Sequence, residues 1–138
     1  MGERHAETAR AFDDPATILL LWAAGGSNQL STAARSWLED PQNELIFSPA
    51  SLWEVSIKRS LGRADFHVDP RLLRRGLLDN GYHELPITSV HTVEVDALPA
   101  LHKDPFDRIL IAQSIVEGMM LLTSDAIVAR YPGSIKLV

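Results

Sequence analysis

Short apolar runs that alternate with helical segments limit how this chain of 138 residues can fold. Runs at 44–48 (ELIFS), 119–123 (MMLLT) and 134–138 (SIKLV) have the length of buried strands, and 83–88 (HELPIT) is a weaker candidate. Strands this short, with helices between most of them, predict an α/β fold. We therefore expect a three-layer α/β/α sandwich around a mainly parallel central sheet.

Capping residues, prolines and glycines predict where the helices begin and end. The predicted helices cover 32–39, 50–61, 71–79, 90–98, 106–117 and 125–130. The apolar segment 16–24 (ATILLLWAA) predicts one further buried helix, which the following pair of glycines ends. Residues 1–15 are polar and without pattern, so we expect an irregular segment there and a single domain over 16–138.

The composition excludes several classes of site. The chain has no cysteine, which excludes Cys-ligated zinc, iron–sulfur clusters, thiol catalysis and disulfide scaffolds. Its longest apolar run is too short to span a bilayer and lacks a basic flank. We therefore expect a cytoplasmic protein without a membrane partner.

The charge is distributed unevenly along the chain. The net charge of −5 does not favour nucleic-acid binding by the overall field of the protein. Six of the thirteen cations nevertheless lie in one basic stripe, formed by Lys58, Arg59, Arg63, Arg71, Arg74 and Arg75. Such a stripe is either a solvated helix face or a surface that holds phosphates.

Acidic side chains follow the predicted strands, at the edge where parallel sheets form their sites. Glu54 lies one turn into a helix after a strand, Asp125 follows another strand, and Asp104 and Asp107 open a helix. Each has an ordinary structural explanation as a helix cap, a capping-box member or one half of an i,i+4 ion pair. Together, however, four carboxylates at one rim would raise one another's pKa unless a cation is bound. A hard divalent ion such as Mg²⁺ or Mn²⁺ meets that need and serves phosphoryl chemistry.

The five histidines form no sequence pair of the kind that binds zinc. His102 is the one that we expect near the acidic rim, because Lys103 and Asp104 follow it directly. For this histidine a supporting or surface role is favoured over metal ligation.

Four separated blocks of the chain resemble PIN-domain ribonucleases of the VapC toxin type. Residues 101–118 (LHKDPFDRILIAQSIVEG) resemble the family's H-x-D-P-F-D-R-x-L-I-A-Q-A block, and 48–63 (SPASLWEVSIKRSLGR) resemble its S-x-A-S-x-W-E-x-x-I-K block. Residues 81–88 (GYHELPIT) and 121–132 (LLTSDAIVARYP) match its central strand and its L-x-T-x-D segment. The order and spacing of the blocks agree over roughly 16–138.

The resemblance implies a compact α/β/α domain that binds Mg²⁺ or Mn²⁺ and cleaves RNA. Carried over by position, Glu54, Asp107 and Asp125 are the catalytic and metal-binding carboxylates. Asp104 is a further candidate ligand, a helix cap or a supporting acid. The positions expected to contact or steer RNA are those of Arg108, Thr123, Ser124 and Lys58. The resemblance also implies a small antitoxin partner, as in type II toxin–antitoxin pairs, and a homodimer.

The chain departs from the family at its first acid. Family members usually begin with an apolar strand that ends in an Asp, followed by T-H-x-L-L-W. Counting back from Trp22 places Ala16 at the Asp position. We therefore expect RNA cleavage by this chain to be weak or absent, and the Ala16→Asp substitution to restore it. Three explanations stay open: Asp13 or Asp14 replaces the acid, the site is degenerate, or the N-terminal segment derives from an altered start or reading frame.

Two other functions compete with the nuclease. A non-enzymatic interaction module would keep the fold and bind a partner through apolar residues such as Leu52, Trp53 and Leu61, although Trp53 is expected in the core. A receiver-like phospho-acceptor domain is disfavoured, because the segments 44–49 and 85–89 offer neither the acceptor Asp nor the Lys that it needs.

Overall fold

The computed structural model describes residues 16–21, 31–62 and 67–138. The strands in this part of the chain are β1 (Thr17–Leu20), β2 (Glu44–Phe47), β3 (His83–Glu84), β4 (Met120–Thr123) and β5 (Ile135–Leu137). Its α-helices are α1 (Thr32–Glu39), α2 (Pro49–Ser60), α3 (Pro70–Asp79), α4 (Ser89–Glu94) and α5 (Pro105–Glu117). Short 3-10 turns cover Val95–Ala97 and Val128–Arg130.

The five strands form one sheet in the order β3-β2-β1-β4-β5, and every pairing is parallel. The expected α/β/α fold is confirmed, with a sheet that is parallel throughout. In a parallel sheet all carboxyl ends lie at the same edge. We call this edge the carboxyl rim; the residues that follow its three central strands are Leu21, Ser48 and Ser124.

Alternate residues of the central strands pack on opposite faces of the sheet, as the pleat requires. Leu19 and Leu121 belong to a buried cluster with Ile111 of α5. Ile18 belongs to a second cluster with Trp37 of α1. Burying side chains of this size stabilises the fold by roughly 1.5–3 kcal/mol each. The two clusters join the sheet to its two helical layers.

The prediction of a helix over 16–24 is wrong where the structure describes it, because Thr17–Leu20 form the central strand β1. Both faces of this strand are covered, so its apolar residues run continuously instead of alternating with polar ones. Hydrophobic periodicity does not separate such a strand from a buried helix. The rest of that segment, and the irregular segment expected at 1–15, lie outside the described residues.

Three further elements differ from the predictions by more than one residue at an end; the others agree to within one residue at each end. The strand expected at 83–88 has only two paired residues, since Pro86 offers no N–H for a longer ladder. The helix expected at 90–98 begins at Ser89, with Thr88 as its N-cap, and ends in a 3-10 turn. The helix expected at 125–130 is the 3-10 turn Val128–Arg130.

Trp53 does not lie in the core, contrary to the prediction. This residue is 62% exposed on α2. Its ring contacts Phe106 of α5 edge to face, with centroids 5.1 Å apart and an angle of 80° between the ring planes. Leu61, at the end of the same helix, is also exposed, whereas Leu52 is half-buried.

Candidate metal centre

Asp104 fixes the start of helix α5. Its Oδ1 accepts hydrogen bonds from the backbone N–H groups of Phe106 at 2.8 Å and Asp107 at 3.3 Å. Pro105 occupies the first helical position, where the missing N–H is not needed. Asp104 is therefore a helix cap in this structure, and the cap sets Asp107 in the first turn with a half-buried side chain.

Asp125 is held in a turn just beyond β4. Its backbone N–H donates to the Thr123 hydroxyl at 3.0 Å, and its own Oδ1 accepts a hydrogen bond from the N–H of Ile127 at 2.8 Å. Thr123 is only 1% exposed, so its hydroxyl orients the turn that carries Asp125. Ser124, beside it, is exposed to solvent.

His102 brings the two acids together. Its Nε2 lies 2.8 Å from Oδ2 of Asp107 and 3.5 Å from Oδ2 of Asp125. One nitrogen or oxygen of each of these three half-buried residues lies within 4.8 Å of the others. They are the one group of this kind among the described residues, and we call it the metal centre. The expectation that His102 lies near the acidic rim is confirmed.

The hydrogen bonds of His102 indicate which ring nitrogen carries the proton. Nδ1 accepts a hydrogen bond from the Lys103 N–H at 3.1 Å, so in the neutral ring the proton lies on Nε2. That proton points at the acids, which makes His102 a donor that orients Asp107. Ligation of a metal through Nε2 would require the proton to leave.

Glu54 lies outside this closest group. Its side chain is only 14% exposed, and its carboxylate lies 3.6 Å from the Lys58 ammonium one turn further along α2. Burial raises the pKa of Glu54, Lys58 lowers it, and the charges of Asp104 and Asp107 raise it further. The structure therefore places Glu54 within electrostatic reach of the metal centre and not within it.

The electrostatics of Asp107 point to a site that lacks positive charge. Burial raises the pKa of Asp107, and the Asp104 charge adds to this; the opposing effect of His102 does not cancel them. Asp125 raises the pKa of Asp107 slightly further. A half-buried carboxylate whose pKa is raised in this way is stabilised in its ionised form by a bound cation.

Arg108 supports the loop that precedes α5. Its guanidinium donates to the carbonyl oxygens of Val95 at 3.2 Å and Pro99 at 3.0 Å, and to the hydroxyl of Tyr131 at 3.2 Å. That hydroxyl accepts a hydrogen bond from the backbone N–H of His102 at 2.7 Å. The Arg108 donors thus hold the backbone that carries His102, and its predicted contact with RNA stays a prediction.

The basic stripe is largely engaged in ion pairs. Arg59 lies 3.0 Å from Asp69, and Arg74 lies 3.9 Å from Glu84. Arg63 lies outside the described residues. Exposed pairs of this kind contribute about 0–1 kcal/mol each to stability. The predicted steering of RNA by Lys58 and Ser124 is not tested by these distances.

Strand β1 brings a leucine to the carboxyl rim. Leu21 follows the strand, donates its N–H to the Leu122 carbonyl at 3.0 Å and packs, half-buried, on the α5 side of the sheet. The strand register places it between Ser48 and Thr123. Ala16 lies at the opposite end of β1, where its N–H donates to Asn43 Oδ1 at 3.1 Å. Placing the first acid at Ala16 is therefore wrong, because that position faces the other edge of the sheet. Asp13 and Asp14 lie outside the described residues.

The residues of the metal centre fit a divalent cation. Two carboxylates supply the hard oxygen ligands that Mg²⁺ and Mn²⁺ prefer, and an imidazole nitrogen is a suitable ligand for transition metals such as Mn²⁺. Their mutual spacing within 4.8 Å allows ligation of a single ion after small side-chain shifts. The donor set, with two nearby acids outside it, thus agrees with a divalent metal site.

One groove of the described residues lies away from the metal centre. Arg35, Leu38, Leu72 and Tyr82 are among the residues that line it, and none of its lining residues belongs to the metal centre. A groove between α1 and α3 with no catalytic group in its lining does not compete with the acidic site as a reaction centre. Within the described residues, no helix combines the length and apolar composition that a membrane crossing requires.

Comparison with known proteins agrees with this geometry. A search of curated proteins gave no match. The family model of the PIN domain matches residues 17–134, which include β1 and all three residues of the metal centre. Because that match covers most of the chain, the protein belongs to the PIN-domain family.

Proposed function

We propose that this protein is a metal-dependent endoribonuclease of the VapC toxin type whose activity is low. PIN domains are generally metal-dependent nucleases, and the chain belongs to that family. The observation that carries the proposal is the convergence of two segments at the carboxyl rim: His102 and Asp107 at the start of α5, and Asp125 just beyond β4. The four sequence blocks that resemble VapC toxins support the finer assignment to RNA and to a toxin–antitoxin pair.

A divalent metal ion would be held by Asp107 and Asp125, with His102 as the third candidate ligand. A divalent ion there would polarise the phosphodiester and stabilise the negative charge that develops during attack by water. Glu54 and Asp104 add negative charge that attracts the cation. Mn²⁺ and Mg²⁺ both suit the donors, and the nitrogen of His102 favours Mn²⁺.

Hydrogen bonds from neighbouring side chains position the residues of the metal centre. The Asp104 cap and the Thr123 hydroxyl fix the backbone of the two ligating acids. Arg108 and Tyr131 fix the backbone at His102. Lys58 and the basic stripe attract the phosphates of RNA at long range, and Ser124 is exposed beside the last acid.

Low activity is expected because β1 ends without an acid. The family places an Asp at the end of this strand, and here Leu21 follows it. A hard cation held by few protein carboxylates depends strongly on each one. We expect the wild-type protein to bind the metal more weakly than a chain with that acid.

Cleavage of single-stranded RNA tests the proposal. The wild type should cleave in Mn²⁺ and not in EDTA, and Asp107→Asn should lower the rate by roughly a hundredfold or more. Glu44→Gln is the matched control, because Glu44 is an exposed acid at the opposite end of β2. Equal cleavage by the wild type and Asp107→Asn would refute the assignment of the centre.

A second function is favoured by the same leucine. With Leu21 at the rim, the protein would act as an inactive PIN fold that binds a small antitoxin-like partner, alone or as a homodimer in the cytoplasm. Isolation of a stable complex with such a partner, together with no cleavage in Mg²⁺ or Mn²⁺, would select this function over the nuclease.

A further inference from the structure

We propose that Trp53 is a base-stacking platform that gives the metal centre a preference for single-stranded RNA. The inference deepens the proposed nuclease function and rests on it. Tryptophan is highly buried on average, so a tryptophan that is 62% exposed beside a candidate catalytic centre calls for a functional account.

Trp53 is next to the acids on two helices at once. It directly precedes Glu54 on α2. Its ring contacts Phe106, which directly precedes Asp107 on α5, at a centroid distance of 5.1 Å. Since each of these two aromatic residues directly precedes an acid, we expect an RNA bound at the metal centre to bring a base to the Trp53 ring.

The ring geometry leaves room for that base. The two ring planes make an angle of 80°, so the edge of one ring meets the face of the other. In either arrangement Phe106 covers at most one face of the indole. The contact also restricts the side chain, so stacking loses less conformational entropy than it would on a free tryptophan.

A base is a better occupant of this surface than a protein helix. Stacking on an aromatic ring is tolerant of base identity and requires no further contact, whereas a helix needs a continuous apolar strip. Trp53, Ile57 and Leu61 do recur at i, i+4 and i+8, but Ile57 is only 37% exposed while the two others exceed 60%. Lys58 and Arg59, in the last turn of the same helix, carry charges that suit phosphates. Bases in a duplex are already stacked on one another, so the platform selects single strands.

Binding of a labelled single-stranded oligoribonucleotide tests the platform. Fluorescence anisotropy on the full chain in Ca²⁺, a hard cation that also takes oxygen ligands, measures binding, and a gel of the same sample shows that the RNA stays intact. Trp53→Ala should weaken binding roughly tenfold, and Trp53→Phe should restore most of it. Leu61→Ala is the matched control, because Leu61 is exposed to a similar degree on the same helix but lies two turns from the acids; it should leave the affinity unchanged.

An abasic series makes the test specific to stacking. Replacing one nucleotide at a time by an abasic one should weaken wild-type binding at one position and should not weaken Trp53→Ala further at that position. Equal losses at every position in both proteins would overturn the proposal. Unchanged RNA affinity in Trp53→Ala would also overturn the proposal. If in addition Trp53→Ala and Leu61→Ala both dissociated a dimer or a protein partner, the surface would be a protein interface instead.

Failure of this inference is distinguishable from failure of the proposed function. Cleavage that needs Asp107 and metal but is indifferent to Trp53 would remove the platform and leave the nuclease. Absence of both RNA binding and cleavage in the wild type would remove both.

Discussion

The Glu54 carboxylate lies half-buried on α2, where burial raises its pKa more than the neighbouring Lys58 ammonium lowers it. The pKa of Asp107 on α5 is raised in the same way, because His102 lowers it by less than burial and the Asp104 charge raise it. Both acids are therefore ionised at a cost in stability, which proteins accept at functional sites. At this scale the raised pKa values of both acids agree with the proposed cation site, where a bound ion would stabilise their ionised forms.

The pH dependence of stability follows from the raised pKa of Glu54. The Glu54 carboxyl binds its proton more tightly in the folded protein than in the unfolded chain, where its pKa has the ordinary value of 4.5. Stability is therefore lost as the pH rises from that value through the raised folded pKa. Glu54→Gln should melt at a higher temperature than the wild type at neutral pH, and the difference should shrink at acid pH. Thermal melts across that range check this, and a less stable Glu54→Gln protein at neutral pH would contradict it.

Helix α5 depends on Asp104 for its first turn, and the two variants of this residue separate its roles. Asp104→Ala leaves the N–H groups of Phe106 and Asp107 without their acceptor and should cost about 1 kcal/mol of unfolding free energy. Asp104→Ser keeps a capping oxygen and should recover most of that loss. If Asp104 acts as a cap and not as a ligand, Asp104→Ser should also keep the wild-type affinity for Mn²⁺. Chemical denaturation and metal titration together decide this, and a large loss of affinity in Asp104→Ser would make it a ligand.

Strand β1 determines where an acid would complete the centre. Leu21→Asp puts a carboxylate at the carboxyl rim, between Ser48 on one neighbouring strand and Thr123 on the other. This variant should bind Mn²⁺ roughly tenfold more tightly and cleave RNA roughly tenfold faster than the wild type. Leu21→Asn tests whether the charge is responsible, because it has a similar shape and should give no gain.

Ala16→Asp provides the opposite control. It places the same charge at the other end of β1, where Ala16 is buried, and should destabilise the fold without improving metal binding. Improved cleavage by Ala16→Asp, or none by a folded Leu21→Asp, would contradict the register that the sheet gives to this strand.

The fold of the whole molecule was predictable because its strands alternate with well-capped helices. Ser31, Asp69 and Asp104 all cap helices in the structure, as their positions before helical segments predict. The segment 16–24 was not predictable in this way, because a fully covered strand and a buried helix share the same continuous apolar pattern. This segment forms a strand because it pairs with β2 and β4, which are distant in sequence.

The sequence predicts which segments carry the acids of the candidate centre, but it does not predict how their side chains are arranged. Asp107 and Asp125 follow from the sequence blocks, and the structure brings them together. The place of His102 between them depends on a loop whose backbone is held by Arg108 and Tyr131, which no local pattern encodes. The exposure of Trp53 was missed because a large apolar residue near other apolar residues normally indicates core.

The central claim is that Asp107 and Asp125 hold one divalent ion at the carboxyl rim. Calorimetric titration with Mn²⁺ tests it most directly, since the readout is binding and not activity. The wild type and the control Glu44→Gln should bind with the same affinity, and Asp107→Asn and Asp125→Asn should each bind at least about tenfold more weakly, because each loses one charged ligand of a hard cation. Equal affinities in all four proteins would contradict the account.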